Sequence, residues 1–178
     1  MPKLAPVTLQ HLSALCHNLD LNNTLDTMVY TMAAMFFWFQ CRLAEMCIEM
    51  LLTPLPIPAG QHHKNQASLS PKLFSIPSRP DSGCPWSAQW AFNNHLKINS
   101  HIPSSSHMFA FEGTGSLVYP MHKSLFLSCC YEIWSKCGLY SMGNHSFQIS
   151  GTTHMLLISI DPFIVMVQGQ WKSNAFLE

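Results

Sequence analysis

Two stretches of the chain combine chemically useful side chains with an ordered spacing. The first ends at Arg42, whose planar guanidinium can hold a phosphate through two parallel hydrogen bonds, as a lysine cannot. The second begins at His145, three residues before Gln148, and continues through an apolar, helix-like run at residues 155–160 to a Gly-Gln-Trp sequence at residues 169–171. Arg42 is therefore a candidate phosphate ligand, and the second stretch has to be judged from the order of its residues.

Each of these residues also has a purely structural interpretation. Arg42 follows an apolar run, and a cation near the C-terminus of a helix is stabilised by the helix dipole. His145 precedes an apolar helical run, where a histidine commonly serves as a cap or as a hydrogen-bonded buried group. The functional interpretation therefore depends on finding Arg42, His145 and Trp171 in one recognisable order.

That order resembles the motifs of tyrosine recombinases. These enzymes place His-x-x-Arg before an apolar helix, then Gly-x-His or Gly-x-Trp, then a nucleophilic tyrosine. His145, Trp171 and the Ala-Phe-Leu sequence at residues 175–177 match. The Cys-Arg-Leu-Ala-Glu-Met segment at residues 41–46 is similar to the Cys-Arg-Leu-Gly-Glu-Leu box of the recombinases carried by fungal mobile elements. The resemblance covers nearly the whole chain and is strongest at residues 7–46 and 107–178.

The resemblance implies that the matched side chains hold a scissile DNA phosphate. Arg42 takes the place of the first catalytic arginine, and Glu45 would orient it. His145 and Trp171 would donate hydrogen bonds to the phosphate, Trp171 from its indole N–H. Gln148 stands where the family has its second catalytic arginine, so the charge and the forked geometry are lost. Losing one such electrostatic group typically costs about 10²–10³ in rate.

The family's reaction is the attack of a tyrosine oxygen on a DNA phosphodiester, which needs no metal or nucleotide cofactor. A hairpin lysine acts as general acid, and Lys64 and Lys72 are the substrate-binding candidates in the corresponding region, with solvated loop lysines as the alternative. No tyrosine follows Trp171, and Tyr140, five residues before His145, is a weak substitute. We therefore expect a truncated, catalytically inactive domain, unless a longer recombinase homologue supplies the tyrosine.

Composition favours a different class of protein. Nine basic and nine acidic residues leave the 178-residue chain without net charge, whereas DNA-handling domains usually carry a basic excess. This balance supports the alternative of a helical protein-interaction module without a nucleic-acid role. Seven cysteines without a Cys-x-x-Cys pair or a signal peptide favour a reduced, intracellular compartment. The ten histidines do not have the spacing of zinc ligands, so no metal site is expected.

Apolar periodicity predicts a mainly helical chain. We expect helices at residues 8–19, 28–42, 84–98 and 120–137, a strand and turn at 107–116, and helical turns at 155–160 and 164–167. Thr24 or Asp26 is expected to cap the second helix. A membrane span needs about 20 apolar residues, and Gln40 and Arg42 interrupt this helix earlier, so it is expected to be a buried core helix. The proline-rich residues 53–85 should form a degenerate loop or hairpin region with one strand candidate at 73–76.

These observations predict a mainly α fold with a small β-hairpin or sheet, resembling a tyrosine recombinase catalytic domain. We expect one domain over residues 1–178, without the family's N-terminal core-binding domain. The expected function is that of an inactive, integrase-like domain from a mobile element, related to enzymes of DNA recombination and DNA integration, that binds duplex DNA weakly in the nucleus. The alternatives are the interaction module and a pseudogene product that does not fold.

Overall fold

One apolar helix forms the centre of the molecule. The computed structural model describes residues 7–47, 87–140, 142 and 146–171, with the exception of the side chains of residues 44 and 45. The helices within these ranges are α1 (Leu9–Asn18), α2 (Thr24–Trp38), α3 (Leu43–Met46), α4 (Ala88–Ile98), α5 (Lys123–Lys136), α6 (Ser146–Leu157) and α7 (Pro162–Gln168). Helices α1, α4, α5 and α6 all pack against α2, which is buried from Thr27 to Phe37. The prediction of a buried core helix is confirmed.

The described residues also form a two-stranded antiparallel sheet. Strand β1 (Ala110–Glu112) pairs with β2 (Val118–Pro120), Phe111 lying opposite Tyr119. The mainly α fold with a small β-hairpin is therefore confirmed. This hairpin includes the strand predicted within residues 107–116 and packs on α2. The other predicted hairpin region, residues 53–85, lies outside the described residues.

The central helix is displaced from its predicted position by four residues at each end. Its cap is Asn23, whose side-chain oxygen accepts hydrogen bonds from the backbone N–H groups of Leu25 and Asp26, so the prediction of Thr24 or Asp26 as the cap was wrong. The helix ends at Trp38 because Gln40 takes a positive φ of 54°, which an α-helix does not allow. The predicted end at Arg42 was therefore also wrong.

Helices α1, α4, α5 and α7 lie close to their predicted positions, whereas α6 begins at Ser146, nine residues before the predicted run at 155–160, and α3 was not predicted. Thr8 immediately precedes α1, and Ser87 caps α4 by accepting a hydrogen bond from the Trp90 N–H. Residues 84–86 of the predicted helix lie outside the described residues. Helix α5 begins later than predicted because β2 occupies residues 118–120. Within the described ranges, no helix is long and apolar enough to cross a bilayer.

A buried histidine connects α4 to the start of β1. The Nε2 of His95 lies 2.9 Å from the Met108 carbonyl oxygen, and its Nδ1 lies 2.9 Å from the Asn99 side-chain nitrogen. The amide donates to Nδ1, so the neutral ring carries its proton on Nε2 and donates it to Met108. On α1, the Nδ1 of His11 accepts a hydrogen bond from the Thr8 backbone N–H. Both buried rings therefore use one nitrogen as an acceptor, which protonation would abolish.

Stability is expected to fall as the pH is lowered below about 6.5, the ordinary histidine value. Burial lowers the pKa of His95 and of His11, against a smaller opposing effect of the Met108 and Tyr140 backbones. The unfolded chain therefore binds protons first as the pH falls, and the free energy of unfolding decreases until the lowered folded-state pKa values are reached. Urea unfolding at about pH 7.5 and about pH 5.5 measures this slope. The His95→Leu variant should be less stable but less sensitive to pH, and an unchanged slope in that variant would contradict the assignment.

Candidate functional site

Arg42 lies in the short link between α2 and α3, with an exposed side chain. Because α2 ends at Trp38, Arg42 is not in the last turn of that helix, and stabilisation by the helix dipole does not explain its position. The preceding turn is made by Gln40, whose φ of 54° lies in the left-handed region that usually holds glycine or asparagine after a helix. The backbone turn at Gln40 therefore sets the direction of the link that carries Arg42.

The side chain of Gln40 is directed into the protein, where it contacts α6. Its Oε1 accepts a hydrogen bond of 2.8 Å from the Thr152 hydroxyl. Its Nε2 lies 3.0 Å from the Met155 sulfur, a weak acceptor. Gln40 is only 2% exposed, so these contacts are shielded from water. They attach the link that carries Arg42 to the middle of α6.

Gln148 connects the first turn of α6 to the end of α7. Its side chain is buried, and its Nε2 donates a hydrogen bond of 3.0 Å to the backbone carbonyl of Gly169. The resemblance aligns Gln148 with the family's second catalytic arginine. In the structure the amide holds the turn after α7 against α6, and this bond uses one of its two N–H groups.

Gly169 lies where three of these polar groups meet. A Cβ atom at this position would lie 2.3 Å from Gln40 Oε1 and 2.3 Å from Trp171 Nε1. Both distances are too short for non-bonded atoms, so no residue with a Cβ fits here unless its neighbours move. The Gln40 amide and the Trp171 indole nitrogen are therefore close neighbours on one side of Gly169. The Trp171 backbone N–H donates to the Met166 carbonyl, which closes the turn after α7.

The structure thus brings together three of the predicted site segments. The link with Arg42, the first turn of α6 with Gln148, and the turn with Trp171 meet around Gln40 and Gly169. His145, Lys64 and Lys72 lie outside the described residues, as does the side chain of Glu45. The side chain of Tyr140, the weak substitute for a nucleophile, is 79% exposed.

A second cation lies near α3. Burial raises the pKa of the Cys47 thiol to about 12, and the positive charge of Lys123 partly opposes this rise. Lys123 is the first residue of α5, so the N-terminus of that helix lies close to the end of α3. The Cys47 thiol stays protonated at neutral pH, which makes it a poor nucleophile and metal ligand. In the described ranges no cluster of His, Cys, Asp or Glu is suited to hold a metal ion.

Aromatic side chains and a glutamine join the end of α2 to α6 and α7. The ring of His154 lies 5.5 Å from that of Phe37 and 5.4 Å from that of Trp38. Gln168 donates a hydrogen bond from its side-chain nitrogen to the Trp38 carbonyl, one of the last carbonyls of α2. Burial lowers the pKa of His154, so this ring is mainly neutral near pH 7. The cluster keeps the end of α2 in a fixed position beside the site.

Sequence reasoning missed Gln40 and Thr152 as site residues. In the sequence, Gln40 is a polar residue that interrupts an apolar run. Its position two residues before Arg42, as the first amide after that run, was the available signal. Thr152 had no comparable signal, because a threonine in a helix commonly bonds to a carbonyl of its own helix, as Thr153 does to Ile149.

Comparison with protein-family models, with curated proteins and with solved structures found no match. The site presents one exposed guanidinium beside a buried network of amide, hydroxyl and indole groups. The described side chains that form this network are Gln40, Gln148, Thr152 and Trp171, and all four are uncharged.

Proposed function

We propose that this chain is a DNA-binding domain of the tyrosine recombinase type, with a fold like that of the family's catalytic domain. Arg42 binds a phosphate of duplex DNA. The protein belongs to a mobile element and acts in the nucleus. The observation that carries this proposal is the meeting of the segments that hold Arg42, Gln148 and Trp171, which are far apart in sequence. The resemblance requires these three positions to converge around one phosphate.

The proposed domain binds DNA but is inactive or very slow in strand cleavage. Displacement at a phosphodiester builds negative charge on the non-bridging oxygens, and recombinases of this kind stabilise it with two arginines. Gln148 carries no charge, and its amide donates to the Gly169 carbonyl. Arg42 is then the remaining arginine of the pair. Its fork suffices to hold a ground-state phosphate, but one guanidinium stabilises the charged transition state less than two.

Substitution of Arg42 by alanine is expected to weaken binding to a generic duplex of about 30 base pairs at least tenfold at about 50 mM salt. The slope of log K against log salt should decrease by about one, because one phosphate contact is lost. The Arg42→Lys variant keeps the charge but not the forked geometry, so its affinity for the duplex should lie between those of the wild type and Arg42→Ala. Fluorescence anisotropy in a salt titration measures all three proteins.

Lys97→Ala is the matched control, because it removes one exposed positive charge from α4. If Lys97→Ala and Arg42→Ala weaken binding equally, the attraction is non-specific and Arg42 has no special role. Denaturing gels of the wild-type complex on nicked DNA should show no covalent adduct. A denaturant-stable adduct would contradict the proposed inactivity.

A helical protein-interaction module is the second candidate, and an exposed apolar face favours it. Leu157, Ile158, Phe163, Ile164 and Val167 are all more than half exposed at the end of α6 and along α7. Apolar patches of this kind commonly mark interaction surfaces. The zero net charge points the same way. A chain that unfolds cooperatively and yet does not bind DNA at about 50 mM salt would favour this candidate over the first.

A further inference from the structure

Gln40 differs from the other residues with unusual backbone angles. Among the described residues, the non-glycine residues with positive φ are Gln40, Ser116, Ser159 and Gln170. The last three are exposed in turns, where water can solvate the backbone, whereas Gln40 is buried. A strained backbone persists only where the surroundings hold it in place, and such positions cluster at functional sites. Gln40 lies two residues before Arg42, so this turn sets the direction of the link that carries the guanidinium.

The side chain of Gln40 connects its turn to two neighbouring segments. Its amide oxygen is bonded to Thr152, its amide nitrogen contacts the Met155 sulfur, and its oxygen lies against the space above Gly169. The amide thus touches α6 and the turn that carries Trp171. A glycine would form the same turn without strain, and a leucine would fill the same space. Only a side chain with directed hydrogen bonds fixes both the turn and its orientation relative to α6.

We propose that Gln40 is a positioning residue for Arg42: its left-handed turn and its bond to Thr152 fix the exposed guanidinium relative to Gln148 and Trp171. This inference rests on the proposed function, because it assigns the fixed geometry a role in phosphate binding. A guanidinium on a fixed link loses less conformational freedom when it binds a phosphate. Without the Gln40–Thr152 bond, the fork of Arg42 still carries its charge but is aimed less accurately.

Thr152→Val is the variant that tests this role, because it removes the hydroxyl that donates to Gln40 and keeps the side-chain shape. We expect duplex affinity at about 50 mM salt to fall about fivefold, the effect of one neutral hydrogen bond. In the Arg42→Ala background the same substitution should have no further effect, because the group that it positions is absent. This non-additivity is the decisive readout, since a general loss of stability would lower both affinities alike.

Two variants on the same helix serve as controls. Thr152→Ser keeps the hydroxyl and should restore wild-type affinity. Thr153→Val removes a hydroxyl that is bonded to the Ile149 carbonyl of its own helix, and it should bind DNA like the wild type. If Thr152→Val does not unfold cooperatively, Gln40→Gly replaces it in the same cycle, because glycine relieves the strained turn while removing the amide.

The outcomes separate this inference from the proposed function. If the wild type binds DNA and Arg42→Ala weakens binding, but Thr152→Val has no effect or weakens both backgrounds equally, the positioning role is wrong and DNA binding stands. If the folded wild type does not bind DNA, the proposed function is wrong and the positioning role fails with it. A fivefold loss of duplex affinity in Thr152→Val that occurs only when Arg42 is present supports both the positioning role and the proposed function.

Discussion

Replacement of Gly151 by alanine is expected to lower the free energy of unfolding by about 3 kcal/mol or more. A Cβ atom at this position would lie 1.9 Å from the Phe37 carbonyl oxygen and 3.0 Å from its carbonyl carbon. Both atoms belong to the backbone of α2, so no side chain can rotate away, and α6 would have to move from the central helix. Urea unfolding, with midpoint and slope compared between the proteins, measures the loss.

Helix propensity alone predicts the opposite result, a gain in stability. Gly151 lies in the middle of α6, where alanine has a helix propensity advantage of about 1 kcal/mol over glycine. A Gly151→Ala variant as stable as the wild type, or more stable, would mean that α6 does not approach α2 as described. Gly138→Ala is the control: it has a φ of 69° and no atom within 4 Å of the added Cβ, so its cost should be about 1 kcal/mol.

The same substitution should also disturb the site. The added Cβ of Gly151→Ala would lie 3.4 Å from the Gln40 Cγ, so a shift of α6 would displace the Gln40 amide together with Thr152. Close helix contact and the positioning of Arg42 thus depend on the same glycine. DNA affinity of this variant is a poor measure of Arg42 alone, which is why the isosteric Thr152→Val variant is the better test of the site.

The helices could be predicted from sequence because each has a local signal. In α1, apolar residues at helical spacing put Leu12 and Leu15 in the core, as the sequence indicates. For α2, the nearly continuous apolar run indicated burial on all sides, and the structure buries it. The same reasoning fails at Leu96: its apolar side chain at helical spacing makes it a core candidate in the predicted helix at residues 84–98, yet it is 49% exposed. Helical spacing identifies the apolar face of a helix. It does not show whether a residue at the border of that face is buried or exposed.

The end of α2 could not be predicted, because it depends on a contact that is distant in sequence. Residues 39–42 contain neither proline nor glycine, so no local stop signal is present. The helix ends before the positive φ of Gln40, a residue whose side chain is bonded to Thr152, more than a hundred residues later. The candidate site has the same character. Family-like order indicated Arg42, Gln148 and Trp171, but the groups that join their segments are Gln40, Thr152 and Gly169, which sequence order alone does not identify.

Substitution of Trp134 by alanine is expected to lower the free energy of unfolding by about 3–5 kcal/mol, a large share of the usual 5–15 kcal/mol of a domain. The Trp134 side chain is fully buried on α5, its ring lies against those of His11 and Phe147, and its Nε1 donates a hydrogen bond of 3.0 Å to the His11 carbonyl. Alanine leaves a cavity between α1, α5 and α6 that the surrounding helices cannot fill.

One further variant separates the contribution of ring packing from that of the hydrogen bond, and a second variant serves as a control. Trp134→Phe keeps an aromatic ring and leaves the buried His11 carbonyl without this donor, so it should cost about 1–3 kcal/mol. Leu96→Ala, on the exposed side of α4, should change stability by no more than about 0.5 kcal/mol. If Trp134→Ala costs no more than Leu96→Ala, then α1 does not pack on α5 as described. A large loss with Trp134→Ala and a small loss with Trp134→Phe would instead assign the stability to ring packing, with the hydrogen bond to α1 contributing little.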